Sequence, residues 1–139
     1  MTASEDNTHY IAECCCGQCR IEISGEPEIH GVCHCKNCRK RTGSAFGIST
    51  YFSKAQIIAQ QGNLNVYSLH NKEQNHDQER FFCANCGTTL YWLISTMPDK
   101  IGIAGGCFID PPLKSPSYSV NDNQRIQWLT LPEHWLTQP

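Results

Sequence analysis

Apolar and polar residues alternate along much of this chain, the pattern of strands that bury one face. In Cys19-Arg20-Ile21-Glu22-Ile23 every second residue is apolar, and Gly25-Glu26-Pro27 breaks the run. Phe46 to Phe52 and Leu64 to Leu69 read as further strands, with Gly62-Asn63 between them. Arg80-Phe81-Phe82 leads into Cys83, Thr88 to Ile94 reads as another strand, and Ile101 to Ala104 follows and ends at Gly105-Gly106. Helical patterning is confined to Lys36 to Arg41 and Lys54 to Gln56, both short. The nearly all-polar stretch Asn71 to Glu79 is expected to be an exposed loop, and Asp110-Pro111-Pro112 to open an irregular segment running to Pro116. Strand signals dominate, with no internal repeat and no linker. The expected fold is mainly β, a single small domain of short antiparallel sheets. Residues 1–12 are expected to be a flexible N-terminal segment, 13–131 the folded domain and 132–139 a C-terminal tail.

Composition narrows the function classes. A chain of 139 residues with 40% hydrophobic residues suits one domain with a modest core. A formal charge of −2, with both signs interspersed, makes no electrostatic case for nucleic acid or an anionic membrane as partner. No stretch approaches the roughly 18 apolar residues of a membrane-spanning helix. Met1 to Ala12 is polar and acidic, unlike a signal peptide, so the expected location is the cytoplasm.

That expectation decides how ten cysteines should be read. They fall as Cys14, Cys15, Cys16 and Cys19, then Cys33, Cys35 and Cys38, then Cys83 and Cys86, with Cys107 alone. In a reducing compartment, cysteines one to three positions apart are poor disulfide partners but converge readily on one ion. Cys83-Ala84-Asn85-Cys86-Gly87 is a zinc knuckle, two thiolates presented from one tight turn. It needs a second pair. Spacing alone offers Cys16 with Cys19, whereas strand phase puts Cys19 on the apolar face with Ile21 and Ile23. Cys14 and Cys16 would point the same way from an extended segment, with Cys15 opposite. Strand phase therefore favours Cys14, Cys16, Cys83 and Cys86 as a closed structural zinc site. It would tie the start of the domain to a distant hairpin and substitute for core area.

Cys33-His34-Cys35-Lys36-Asn37-Cys38 offers three thiolates and no obvious fourth ligand. Three protein ligands leave a tetrahedral position for water or substrate, the arrangement of a catalytic zinc. Cys107 could close that site from a distance; His34, between two ligands, should point away. Seven thiolates and two zinc ions would move the formal charge from −2 to −5. A zinc held by three thiolates keeps a net negative charge, so it suits thiol ligation better than water activation. The basic run Arg39, Lys40 and Arg41, next to Lys36, could offset that charge or bind a substrate carboxylate.

Together these residues resemble the glutathione-dependent formaldehyde-activating enzyme family, which includes centromere protein V. The resemblance rests on Cys14-Cys15-Cys16-Gly17, on Cys33-His34-Cys35-Lys36-Asn37-Cys38-Arg39-Lys40 with Gly43, and on Phe82-Cys83-Ala84-Asn85-Cys86-Gly87. It implies a β-tent fold, a structural zinc on Cys14, Cys16, Cys83 and Cys86, and a catalytic zinc on Cys33, Cys35 and Cys38. It also implies a carbon–sulfur lyase activity, the addition of a small thiol such as glutathione to formaldehyde, giving S-hydroxymethylglutathione. Cys15, Cys19 and Cys107 depart from the pattern; Cys19 and Cys107 fit small buried apolar positions. Two other functions compete with the enzyme: a non-catalytic zinc-stabilised binding module, and a thiol-based redox or metal sensor. An exchangeable ligand at the second zinc separates the first reading from the others.

Overall fold

The computed structural model describes residues 8–139. In chain order the first strands are β1 (His9–Glu13), β2 (Arg20–Ser24) and β3 (Ile29–Cys33), followed by a short helix, α1 (Lys36–Thr42). Then come β4 (Gly47–Ser53), β5 (Ile57–Gln61), β6 (Leu64–Asn71), β7 (His76–Cys83), β8 (Thr89–Ile94) and β9 (Lys100–Ala104). β10 (Tyr118–Val120) and β11 (Leu136–Thr137) complete the set. Lys54–Gln56 forms a single 3₁₀ turn rather than an α-helix. The molecule is mainly β, as its alternation predicts.

Two sheets form, a three-stranded sheet in the order β1-β2-β5 and an eight-stranded one in the order β11-β10-β3-β4-β9-β8-β7-β6. Pairing is antiparallel except that β10 runs parallel to both β3 and β11. Tyr10 and Ala12 of β1 and Ile21 and Ile23 of β2 meet Phe52, Leu90, Ile101 and Ile103 of the larger sheet in one buried cluster. Phe108 joins them, packing against the rings of Tyr10 and Phe52 at centroid distances of 5.9 Å each. Because side chains alternate along a strand, the residues between these core positions face the other way. Tyr51 of β4 and Gly102 of β9 therefore belong to the opposite face of the larger sheet. In β8 a bulge at Leu90 resets the alternation, so Tyr91 joins the core and Trp92 and Ile94 turn to that opposite face, where most of these residues line a cleft.

Two glycines shape that face. A Cβ on Gly102 would lie 2.2 Å from Trp92 Nε1, and one on Gly31 would lie 2.6 Å from the Tyr118 ring. With hydrogen in place of a side chain, each strand lets an aromatic ring lie against its backbone.

Three sequence expectations change. Residues 1–7 lie outside the described part, but His9 to Ala12, assigned to a flexible segment, form most of β1, paired with β2 from His9↔Ser24 to Glu13↔Arg20. Of its outward positions His9 and Glu13 are polar, while Tyr10 and Ala12 are buried. Asn71 to Glu79 is no loop: β6 and β7 pair in register from Leu64↔Cys83 to Asn71↔His76, leaving residues 72–75 as the turn. Its polar side chains include Asn71 and Gln78, which are buried and line the cleft. Within the expected tail, Leu136 and Thr137 pair with Tyr118 and Ser119.

Candidate metal centres and cleft

The first cysteine cluster is made by two turns that approach each other. The turn between β1 and β2 is closed by Cys14 N donating to Cys19 O at 3.1 Å, and that between β7 and β8 by Cys83 N donating to Thr88 O at 2.9 Å. Cys14 and Cys16 therefore sit in a tight turn, not on the extended segment that strand phase assumed. A further bond, Cys15 N to Thr88 Oγ1 at 3.1 Å, ties the turns together. The sulfurs of Cys14, Cys16, Cys83 and Cys86 all lie within 4.8 Å of one another. The Cys14–Cys16 and Cys16–Cys83 separations are 3.6 and 3.7 Å. Four thiolates at about 2.3 Å from a tetrahedral zinc would stand about 3.8 Å apart, so this donor set fits such an ion.

Amide groups support these sulfurs. Cys83 Sγ accepts from Asn85 N and Cys86 N at 3.4 Å each, and Cys14 Sγ from Cys19 N at 3.3 Å. The hydroxyl and backbone of Thr88 hold the Cys86 thiol down, to about 5. Cys19 is different. Its thiol is fully buried and donates to Asn63 O at 3.3 Å, and burial pushes it up to about 12. It behaves as a neutral core residue.

The second cluster spans the end of β3 and the start of α1. Cys33 ends the strand, Cys35 caps the helix by accepting from Cys38 N at 3.3 Å, and Cys38 returns one helical turn later. Their three sulfurs also lie within 4.8 Å of one another. Asn121 Nδ2 donates to Cys33 Sγ at 3.2 Å, from a backbone held at φ 53°. Hydrogen bonds from Cys35 and Cys38 hold the Cys33 thiol down, to about 3, while Cys35 and Cys38 are pushed up, first by the Cys33 sulfur. One thiol ionises readily and its neighbours resist; three so close are all ionised only when they share a cation.

His34 turns away from the sulfurs, as its position predicts. It is fully buried, and its Nε2 lies 2.8 Å from Ser119 Oγ, which donates to Asp122 Oδ1 at 2.8 Å. Ser119 spends its proton on Asp122, so His34 Nε2 carries the hydrogen. Burial lowers the His34 pKa, which keeps the ring neutral. The chain His34–Ser119–Asp122 thus fastens the cysteine loop to β10. Cys107 does not reach this cluster. It lines a depression with Cys14, Cys15 and Cys16, a thiol raised to about 11 by burial.

The second cluster opens into a cleft of about 350 Å³. Of the predicted basic run, Arg41 lines it, stacked 4.3 Å from the Trp92 ring centroid. Arg39 and Lys40 line a separate depression with Lys36, Gly43 and Ser44. Helix geometry explains the division, because Arg41 stands three residues after Cys38 and shares its face while Arg39 and Lys40 do not. The structure adds Arg80, Tyr51 and Trp92. Arg80 Nη2 donates to Asn37 Oδ1 at 2.6 Å, and Trp92 Nε1 donates to the Tyr51 hydroxyl oxygen at 3.1 Å. Burial pushes Tyr51 up to about 12, so its proton stays in place.

The model of the family described as glutathione-dependent formaldehyde-activating enzyme matches residues 9–123, a span that takes in both clusters and every residue lining the cleft. The chain belongs to that family. An uncharacterized lyase of Schizosaccharomyces pombe is 32% identical over 84 residues, covering 60% of this chain and 56% of the relative. The chain thus spans about half the length of that curated relative. A crystal structure of a Rhodobacter sphaeroides protein superposes with a TM-score of 0.55 at 17% identity, covering 93% of this chain and 99% of the other. That likeness concerns the fold. In this member of the formaldehyde-activating family, then, the described residues gather two cysteine clusters that could hold metal ions, and the three-sulfur one faces the cleft. None of the described helices is long and apolar enough to cross a membrane.

Proposed function

We propose that this protein is a carbon–sulfur lyase-like enzyme that joins a small thiol, glutathione among the candidates, to formaldehyde or a related small carbonyl. The observation that carries this reading is the difference between its two cysteine clusters. The four sulfurs of Cys14, Cys16, Cys83 and Cys86 form a closed set between two turns, suited to a structural zinc. The three sulfurs of Cys33, Cys35 and Cys38 face a cleft large enough for a small ligand. A zinc ion held by these three would supply an open coordination position beside the cleft, with the modest acidity that three thiolates leave it.

The remaining chemistry is assigned to the chain's own side chains. Addition forms a carbon–sulfur bond as the carbonyl π pair moves to oxygen, which takes up a proton; the thiol loses one. Tyr51 is suited to meet that oxygen. Its own oxygen already accepts from Trp92, and its proton has no acceptor among the described residues. A hydroxyl fixed in this way donates to a carbonyl oxygen as charge builds there. Asn121 and the His34–Ser119–Asp122 chain position Cys33 and Cys35.

The test uses zinc-loaded protein with formaldehyde and glutathione, following free formaldehyde and the adduct by NMR exchange spectroscopy. Adduct exchange faster than the uncatalysed rate, and lost in Cys38→Ser, supports the reading. An unchanged exchange rate together with no glutathione binding overturns it.

A further inference from the structure

Two arginines stand in the wall of the cleft, and neither is matched by a carboxylate. Arg80 is only 9% exposed, and its Nε is buried without a hydrogen-bond partner; Arg41 Nη2 is likewise buried and unpartnered. Neither takes part in an ion pair among the described residues. The residues lining the cleft include no aspartate or glutamate. Burying a guanidinium without a counter-charge is costly. Two side by side also repel each other. An anion received in the cleft would relieve both costs.

The cysteines are the first candidates for that anion, and the charge balance shows they do not suffice. Three thiolates sharing one divalent ion carry a single negative charge; two guanidiniums outweigh it by one. The wall is therefore left with a net positive charge beside the sulfurs. Both forks are also fixed in advance. Arg41 is stacked on Trp92, and its Nη2 packs where a side chain at position 47 would stand: a Cβ on Gly47 would lie 2.7 Å from it. Arg80 is held by Asn37. Pre-fixed guanidinium nitrogens match a carboxylate's two oxygens better than a flexible ammonium does.

We infer that Arg41 and Arg80 together bind a carboxylate of one reacting partner, so the substrates of this cleft include a carboxylate-bearing thiol or a carbonyl compound that carries a carboxylate. The inference rests on the proposal that the reaction takes place beside Cys33, Cys35 and Cys38. Formaldehyde has no carboxylate, so the anion comes either from the thiol partner or from an oxo acid in formaldehyde's place.

Calorimetric titration of the zinc-loaded full chain separates the two sources, with matched pairs differing only in charge. Glutathione is compared with its dimethyl ester, and glyoxylate with its methyl ester. The acid should bind at least tenfold more tightly than its ester in one pair, and that pair names the source. Arg80→Gln and Arg41→Gln should each reduce that ratio to near one while zinc content stays at the wild-type level. Arg80→Lys should restore part of it. Equal affinities within both pairs in the wild-type protein would overturn the inference, whatever the variants do, and so would a preference that survives both glutamine substitutions. An acid preference without faster adduct exchange would remove the reaction proposed above and leave the carboxylate site. Faster exchange without an acid preference would do the reverse.

Discussion

Replacing Gly102 by alanine places a methyl group where the Trp92 indole now lies. The new Cβ would stand 2.2 Å from Nε1, 2.6 Å from Cε2 and 2.8 Å from Cδ1, all atoms of a rigid ring on a neighbouring strand. No flexible tail can yield, so the indole must leave its position. Overpacking of this kind costs about 1–3 kcal/mol. Displacing the ring also gives up the hydrogen bond to Tyr51, worth about 1 kcal/mol, and the stacking with Arg41, worth about 0.5–1 kcal/mol. Alanine recovers about 0.4–1 kcal/mol by restricting the unfolded chain. The net expected loss is about 2–4 kcal/mol. Denaturant unfolding at fixed free zinc measures it, since metal bound only to the native state contributes to apparent stability. The decisive measurement is a double-mutant cycle. In a Trp92→Ala background the obstacle is gone, so Gly102→Ala should be neutral or slightly stabilising, a coupling of about 2–4 kcal/mol. A loss of the same size in both backgrounds would refute the packing argument.

The two cysteine clusters should respond differently to mutation. Cys83→Ser should unfold much of the protein at 37 °C or abolish soluble expression, because its site joins two turns nearly 70 residues apart, while Cys38→Ser should keep the far-ultraviolet circular dichroism and lose one bound zinc. Tyr51→Phe should lower the adduct exchange rate by about 10²-fold, the low end for a positioned proton donor, with thiol binding unchanged by calorimetry. His30 gives a pH prediction. Its Nε2 donates to Lys114 O at 2.8 Å, its Nδ1 lies 3.0 Å from Thr50 Oγ1, and burial lowers its pKa below 6.5. A lowered histidine pKa means the unfolded chain binds the proton more readily. The neutral ring therefore contributes stability above pH 6.5 that is lost as pH falls through the folded value. His30→Gln should flatten the acid limb of thermal stability relative to wild type; an identical acid limb would contradict this.

How far the molecule could be read from its residues depended on the range of the contacts involved. β2 was legible because alternation is a local property, β8 because a short apolar run rich in aromatic residues is, and the cysteine clusters because their spacing is. Arg80 was not, since its meaning comes from Asn37, 43 residues away, and from a face shared with Trp92. Asn121 reaches Cys33 across 88 residues. Asn71 and Gln78 misled for a physical reason: polar residues that line a cleft look, in sequence, like residues that face solvent. The clustering of Cys14 with Cys16 illustrates the opposite case. The residues are the ones strand phase selects, yet the backbone that presents them is a turn, in which alternation has no force.

If one cysteine cluster is closed and the other open to ligand, cobalt(II) substitution will tell them apart. Two cobalt ions per chain are expected, both in thiolate surroundings by their charge-transfer bands. Added glutathione should shift the ligand-field bands of one ion only, and Cys38→Ser should abolish that response while the other ion's spectrum persists. A single ion per chain, two ions indifferent to thiol, or two that respond alike would contradict that difference between the clusters.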